Sequence, residues 1–286
     1  MKVLVTGATG FIGGHVIRDL LKRNVQVITT SNDKEKAKSS EWFDKVKFVE
    51  FDVNNSQAHK ENLFEYFGSP DKMIHLSWEN LPNYKELFHF EKNLFSDYNF
   101  LKKVITDGLK DLTVAGTCLE YGMVNGCLDE SMVTDPKNPY AIAKDTLRKF
   151  IEQLNIQNKF LFKWVRLFYI YGKGQSERSL YTQMEKAVDN NDTEFKMSGG
   201  EQLRDFLPVE KVAENITEIS LQDSVTGIIN CCSGKPQSVR KFVEAYFNSR
   251  QKEIKLVTGY YSYPDYEPFA FWGDNTKLNT VLNSAK

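Results

Sequence analysis

The sequence carries no surplus of charge of either sign: 37 Lys and Arg face 38 Asp and Glu, for a formal net charge of -1. That balance excludes the broad basic field a nucleic-acid backbone requires, and there is no acidic tail to suit a basic partner. Cysteine is scarce. Cys118, Cys127, Cys231 and Cys232 are the whole complement, their spacing matches no zinc pattern, and the vicinal pair cannot close an ordinary disulfide on itself. They read as reduced thiols, so a cytoplasmic setting and no metal site are expected. Long apolar runs are also missing. The chain reaches Gly7 too early to hold the apolar part of a signal peptide. Its most apolar later stretch, residues 160–171, is broken by Lys163 and Arg166, so no membrane association is expected. There is no internal repeat and no low-complexity segment.

What is present suffices for a large core. Apolar residues make up 41% and charged residues 26% of 286 positions, which suits one large α/β domain with or without a smaller lobe. Strand-like runs at 2–6, 25–30, 46–51, 72–76, 112–115 and 160–168 alternate with helical patterns at 11–22, 57–67, 84–106 and 139–153. Such alternation makes βαβ units and a mostly parallel, doubly wound sheet. Beyond residue 171 it weakens. Helical patterns at 179–190, 209–220 and 238–248 mix there with short strands near 193–197, 227–231 and 253–257, and residues 260–273 read as a Tyr-, Pro- and Phe-rich loop. The expected division is therefore a dinucleotide-binding domain at 1–171 and a smaller mixed α/β lobe at 172–286 over the ligand edge of the sheet, with the chain crossing back to the first domain.

The first strand runs straight into Thr6-Gly7-Ala8-Thr9-Gly10-Phe11-Ile12-Gly13-Gly14, where a helical pattern begins. Gly7 permits the tight turn, Gly10 lets the backbone approach a pyrophosphate, and Gly13 allows close helix packing, as in a Rossmann-type fold. The helix N-terminus then offers free N–H groups and its positive dipole end to phosphates. A glycine-rich turn without a ligand is the plain alternative. At the end of the second strand, where an NAD enzyme usually carries Asp or Glu, stand Ser31 and Asn32, with Lys34 and Lys36 behind them. A 2′-phosphate would be repelled by a carboxylate but accepted here, so NADP(H) is favoured over NAD(H), unless Ser31 merely opens a turn. Asp52, closing the third strand, is placed to reach an adenine amino group, although acids are also common in such turns.

Asn138-Pro139-Tyr140-Ala141-Ile142-Ala143-Lys144 reads as a helix start, with Asn138 as N-cap and Pro139 in the first turn. Tyr140 and Lys144 then project from one face. A phenol with an ordinary pKa near ~10 is too weak a base at neutral pH, and a neighbouring ammonium favours its ionised form. In the reducing direction the same phenol can protonate a ketone oxygen. Thr117, at the carboxyl edge of the strand at 112–115, can share that oxygen. A Tyr/Lys pair on an amphipathic helix and a threonine in a turn are each ordinary features; their combination is not.

These segments, with Trp164-Val165-Arg166-Leu167-Phe168-Tyr169-Ile170-Tyr171-Gly172, resemble the extended short-chain dehydrogenase/reductase family over nearly the whole chain. The branch resembled acts on nucleotide sugars and includes epimerases, dehydratases and ketoreductases. The resemblance implies further cofactor contacts from Thr9, Phe11, Ile12, Val53, Leu76, Ser77, Asn93 and Lys144, and substrate contacts from Trp78, Cys118, Glu120 and Tyr169. The segment Gly200-Glu201-Gln202-Leu203-Arg204-Asp205-Phe206 is similar to one in which an arginine grips the substrate's diphosphate. That implies the same role for Arg204, whose alternative is a salt bridge to Asp205 or a nearby glutamate. A homodimer through the helices at 84–106 and 139–153 is implied as well.

Departures from the family narrow the reaction. Cys118 and Leu119 stand where 4,6-dehydratases carry an Asp-Glu pair, and leucine transfers no protons. An acid/base cysteine used by 3,5-epimerising relatives would fall at Leu119, one position past Cys118. Tyr169 replaces an asparagine common in that segment. What is left is hydride transfer at a sugar carbon: reduction of a nucleotide-linked 4-keto-6-deoxyhexose such as a dTDP-4-keto-6-deoxyhexose, with 4-epimerisation on tightly bound NAD as the alternative. A non-catalytic dinucleotide-binding scaffold is the reading from a different class.

Overall fold

Val3, Leu4 and Val5 are fully buried, as a strand covered by helices on both faces requires. The computed structural model, which describes residues 1–284, builds outward from that strand. β1 (Lys2–Thr6), α1 (Phe11–Lys22), β2 (Gln26–Ser31), α2 (Lys34–Lys38), β3 (Lys47–Glu50), α3 (Leu63–Tyr66) and β4 (Lys72–His75) come first. α4 (Leu94–Asp107), β5 (Asp111–Thr117), β6 (Gly126–Leu128), α5 (Pro139–Asn158), β7 (Leu161–Leu167) and β8 (Tyr169–Tyr171) follow. The remainder is α6 (Leu180–Asp189), β9 (Glu194–Lys196), β10 (Leu203–Pro208), α7 (Val209–Leu221), β11 (Gly227–Cys231), β12 (Pro236–Ser238), α8 (Val239–Ser249), β13 (Lys255–Val257), β14 (Phe271–Gly273) and α9 (Thr276–Ser284).

Seven parallel strands form the main sheet in the order β3-β2-β1-β4-β5-β7-β11. The order reverses between β1 and β4, which opens a crevice at their carboxyl ends, the place where such sheets bind ligands. The doubly wound α/β fold is therefore as expected. One core layer joins α1, α7 and α9 to one face, through residues such as Val16, Ile17, Val212, Ile216 and Leu278. The other joins α4 and α5 to the opposite face, through Phe100, Leu101, Leu147, Ile151 and Trp164. A smaller cluster in the lobe packs Met184, Phe195, Met197, Phe242 and Phe247 between α6 and α8.

Strands such as β10 and β14, and the helices α2 and α9, form where the sequence reading had none, and three further elements depart from the expectation. The strand at 227–231, within the part expected to form the lobe and to cross back to the first domain, is the seventh strand of the main sheet, paired with β7. Within the expected helix at 57–67 only Leu63–Tyr66 is α-helical, because Asp52 caps a separate 3-10 turn over Val53–Ala58 and Asn62 caps the next turn. The helix at 84–106 becomes regular only at Leu94, after a π-helical turn over His89–Asn93. The His89 side chain bonds to the Asn83 carbonyl oxygen at 3.0 Å, which holds the preceding stretch out of helix.

At the amino edge of the sheet, Lys163 is wholly buried and donates to both oxygens of Asp111, at 2.8 and 2.9 Å, and to the Ser220 carbonyl at 3.3 Å. Lys72 meets the same carboxylate and that of Asp223. Two ammonium groups thus share Asp111. Asp111→Ala leaves both short of their buried partner, and the expected loss is about 3–5 kcal/mol, read as a lower urea midpoint at unchanged slope.

Candidate active site

The chain turns out of β1 through Gly7, whose φ of +67° suits glycine, and a Cβ there would lie 2.8 Å from the Leu76 carbonyl carbon and the Ser77 nitrogen. Leu76 and Ser77 are held in that place because their amides donate to Thr6 Oγ1 at 3.2 and 3.4 Å. A Cβ on Gly13 would sit 2.2 Å from the Gly7 carbonyl oxygen, so only glycine lets α1 come this close. Gly10 caps α1 without a side chain, and the first turn holds no acid. The amides of Phe11 and Ile12 are therefore open to an anion, with Thr9 beside them. These residues fit the diphosphate of a dinucleotide: a bare backbone cradle at the switch point, which any side chain would fill.

Ser31 ends β2 as expected, with Oγ 3.1 Å from Thr9 Oγ1 and accepting from the Asp33 amide at 3.1 Å. Asn32 is exposed, and Lys36 lines a cavity of about 350 Å³ with Thr9, Gly10, Phe11, Arg18 and Trp42. Asp52 is occupied with capping: its carboxylate accepts from the Asn54 amide and from the side chains of Asn54 and Asn55. Val53 follows it, half-buried. Asn93 is buried and donates to the Glu79 carbonyl at 3.1 Å, while its Oδ1 has no protein partner.

Asn138 caps α5 by accepting from the Ala141 amide at 2.9 Å, and this aims Tyr140 and Lys144 at the carboxyl edge of β5. Both are buried, at 7% and 3% exposed. Lys144 Nζ donates to the Ala115 carbonyl at 2.8 Å and lies 4.1 Å from the centre of the Trp78 ring. Trp78 is itself fixed, since its Nε1 donates to His89 Nδ1 at 3.0 Å. An indole only donates, so His89 is the neutral tautomer with its proton on Nε2. Tyr140 stands edge-on to Trp78, with centroids 6.0 Å apart, and against Tyr84 at 5.4 Å.

Burial moves the two catalytic candidates in opposite directions. It raises the Tyr140 phenol well above its ordinary value, with Tyr84 and Glu120 adding to the effect and a hydrogen bond from Thr117 opposing it. It lowers the Lys144 ammonium to about 8, against the pull of Asp97 and Glu120. The phenol thus keeps its proton at neutral pH and is set up to give it to an oxygen.

Thr117 caps a 3-10 turn over Cys118–Tyr121, accepting from the Leu119 amide at 3.3 Å. Its hydroxyl also lies within hydrogen-bond reach of the Tyr140 phenol. Glu120, expected to touch substrate, is wholly buried instead. It accepts from the Thr117 amide at 2.9 Å, from Trp164 Nε1 at 2.9 Å and from Arg166 Nε at 2.8 Å, which leaves it facing the sheet. The physical reason is a capping box, and the Thr117-x-x-Glu120 spacing was its sequence signal. Cys118 is buried beside Thr117 with its thiol raised by desolvation, so no thiolate is available there for proton transfer.

Arg204 is buried on β10 but does not offer a free fork. One terminal nitrogen donates to the Leu203 and Phe269 carbonyls, at 2.8 and 3.0 Å, and the other to Glu267 at 3.0 Å. The guanidinium rests on Phe271 and Tyr169, 4.8 and 5.3 Å from the ring centres. The Tyr169 hydroxyl lies in the same pocket. Sequence reasoning missed Tyr84, His89, Tyr266 and Glu267. Tyr84 and His89 lie at the start of the stretch read as a helix from residue 84, which is irregular there, and Tyr266 and Glu267 in the loop before β14.

A parallel sheet ending in a bare glycine cradle, with a phenol, an ammonium and a threonine hydroxyl at the same edge, defines a dinucleotide-dependent oxidoreductase. The chain belongs to the NAD dependent epimerase/dehydratase family, whose model matches residues 3–232, and so to the nucleotide-sugar branch of the extended short-chain dehydrogenases/reductases. It is 31% identical over 275 residues to the dTDP-6-deoxy-L-talose 4-dehydrogenase (NAD(+)) of Aggregatibacter actinomycetemcomitans, spanning 96% of this chain and 99% of the relative. Its fold is similar to that of UDP-N-acetylglucosamine 4-epimerase from Methanobrevibacter ruminantium M1 in complex with UDP-N-acetylmuramic acid. There the TM-score is 0.84 at 21% identity, over 98% of this chain and 91% of that one. The UDP-glucuronic acid 4-epimerase of Bacillus cereus, in complex with UDP-glucuronic acid and NAD, matches with a TM-score of 0.82 at 20% identity, over 99% and 93%.

Tyr140→Phe is expected to lower turnover about 10²–10⁴-fold while cofactor binding, read by fluorescence titration, is kept. Burial depresses the Lys144 pKa to about 8, and the role expected for it needs the ammonium form. The activity of the wild type should therefore fall as pH rises through about 8, and a pH–rate profile reads that limb directly.

Proposed function

We propose that the protein transfers hydride at C4 of a nucleotide-linked 6-deoxyhexose, working as a reductase of the 4-keto sugar. What carries this reading is Tyr140 beside Thr117 at the carboxyl edge of β5, with Cys118 and Leu119 rather than carboxylates in the two positions that follow. Thr117 and Tyr140 hold the C4 carbonyl oxygen, and Tyr140 gives it a proton. Lys144, kept at the edge of β5 by the Ala115 carbonyl, supplies positive charge that stabilises the phenolate left when Tyr140 gives up its proton, and bonds the nicotinamide ribose. The nicotinamide supplies the hydride when bound. Trp78, Tyr84 and Tyr169 surround the sugar with aromatic faces, which suit a hexose lacking the 6-hydroxyl, and the neutral Leu119 offers no route to water elimination. The similarity to a dTDP-6-deoxy-L-talose 4-dehydrogenase supports the same carbon and the same class of sugar.

That relative is an NAD(+) enzyme, so NAD(H) is taken as a working cofactor. The expectation of NADP(H) keeps its own support in Ser31, which puts a hydroxyl where a carboxylate would repel a 2′-phosphate, and in Lys36 on the adjoining cavity. Phe95, Ile142 and Phe150 stay exposed on α4 and α5 and support the association of two copies through those helices. Among the described residues no helix is long and apolar enough to cross a membrane.

A dTDP-4-keto-6-deoxyhexose supplied with NADH, and separately with NADPH, tests the reading. Steady consumption of reduced cofactor with formation of the 6-deoxyhexose is expected; isomerisation without net consumption would make the protein an epimerase. If NADPH serves, Ser31→Asp should reduce kcat/KM with NADPH by about 100-fold and spare NADH, since like charges in contact cost several kcal/mol.

A further inference from the structure

Lys144 is buried, yet among the described residues its ammonium makes one hydrogen bond, the 2.8 Å bond to the Ala115 carbonyl. An ammonium has three donors and is costly to bury without further company. The carboxylates that face it are engaged elsewhere. Asp97 on α4 bonds to His75 Nε2 at 2.5 Å, and Glu120, in the turn after β5, bonds to Trp164 and Arg166. Tyr140, one turn earlier on α5, keeps its proton. What meets the ammonium is the Trp78 ring, whose centre lies 4.1 Å from Nζ, with the Trp164 ring farther off at 5.9 Å. An indole face attracts a cation more strongly than any other aromatic side chain, and more so out of water.

That indole is not free to turn. Its Nε1 donates to His89 Nδ1 at 3.0 Å, and His89 Nε2 donates to the Asn83 carbonyl at 3.0 Å, so the irregular segment from 78 to 89 closes on itself. The two rings are tilted by only 17°, which leaves the indole faces clear of His89. Burial chiefly, and the Lys144 charge after it, lower the His89 pKa and keep Nδ1 an acceptor at neutral pH.

We propose that Trp78 is a positioning residue for Lys144, its indole face holding the ammonium at the edge of β5 and its bond to His89 holding the indole. This role rests on Lys144 working as an ammonium in the hydride transfer described above. The ring attracts the charged form alone, so it acts with Asp97 and Glu120 against the burial that lowers this lysine to about 8. Without the indole the ammonium gives up its proton at lower pH, and its flexible stem is freed to turn away from Ala115. Trp78 also stands edge-on to Tyr140, with centroids 6.0 Å apart, so one ring sets both members of the pair.

Nuclear magnetic resonance of the full chain, carrying isotopically labelled lysine and no added ligand, follows Lys144 directly; its ε-methylene signal is the one lost in Lys144→Met. In the wild type that signal is expected to be displaced upfield by the indole and to titrate near pH 8. In Trp78→Leu, which keeps an apolar wall without a π face, the upfield displacement should vanish and the midpoint fall by about one pH unit. The alkaline limb of the pH–rate profile should fall by the same amount. An unmoved midpoint, with the rate lowered equally at every pH, is a merely structural effect and overturns the inference. So does a limb that stays in place while the midpoint moves. Should Trp78→Leu not fold, Trp78→Phe keeps a weaker ring and gives up the bond to His89; about half the displacement is expected, and none overturns the inference. A wild type that reduces no 4-keto sugar with either cofactor, while the midpoints move as stated, upholds the contact and overturns the proposed reaction.

Discussion

A buried carboxylate holds the working edge of the sheet together. Glu120 ties the end of β5 to β7 by accepting from the Thr117 amide, the Trp164 indole and Arg166. The fit is tight enough that a Cβ on Gly116 would come within 2.2 Å of the Trp164 indole nitrogen and 2.7 Å of the Glu120 carboxylate. Arg166 in turn lies 4.3 Å from the centre of the Tyr121 ring, and the Tyr121 hydroxyl donates to Asn230 on β11 at 2.8 Å. Three strands are thereby locked at their carboxyl ends. Thr117 has a fixed direction because its own amide and the following turn are both held by this group, and Lys144 finds the Ala115 carbonyl two residues earlier on the same strand.

That rigidity explains why burial can serve chemistry here. Withdrawal from water drives the Tyr140 phenol up and the Lys144 ammonium down, so a single cause leaves a proton on the acid and a readily exchanged one on its neighbour. The aromatic surround of Trp78, Tyr84 and His89 keeps water away from both. His89 itself is held neutral, its pKa lowered chiefly by burial, so it adds no competing charge.

Much of the parallel sheet was legible because strands covered on both faces read as apolar runs, and the glycine turn because its spacing reflects two steric contacts that no other residue allows. Tyr140, Lys144 and Thr117 were legible from helix phase and strand ends. For Glu120 the resemblance implied a substrate contact, whereas the three-residue interval to Thr117 encodes a cap that turns it inward. The return of the chain to the first domain was expected, but which strand makes it, the one at 227–231, depends on α7 packing across α1 and is not given by sequence order. Arg204 was found by its segment, yet its partner Glu267 lies 63 positions away in an irregular loop, beyond the reach of any local pattern.

The central claim is that hydride passes between the nicotinamide and C4 of the sugar, with Tyr140 moving the proton. Its most direct test uses reduced cofactor deuterated at the nicotinamide C4, a 4-keto-6-deoxyhexose nucleotide as acceptor, and nuclear magnetic resonance of the product. The account predicts one deuterium at C4 of the 6-deoxyhexose and none elsewhere on the ring. Turnover that leaves C4 unlabelled, or a label at another ring carbon, would contradict it.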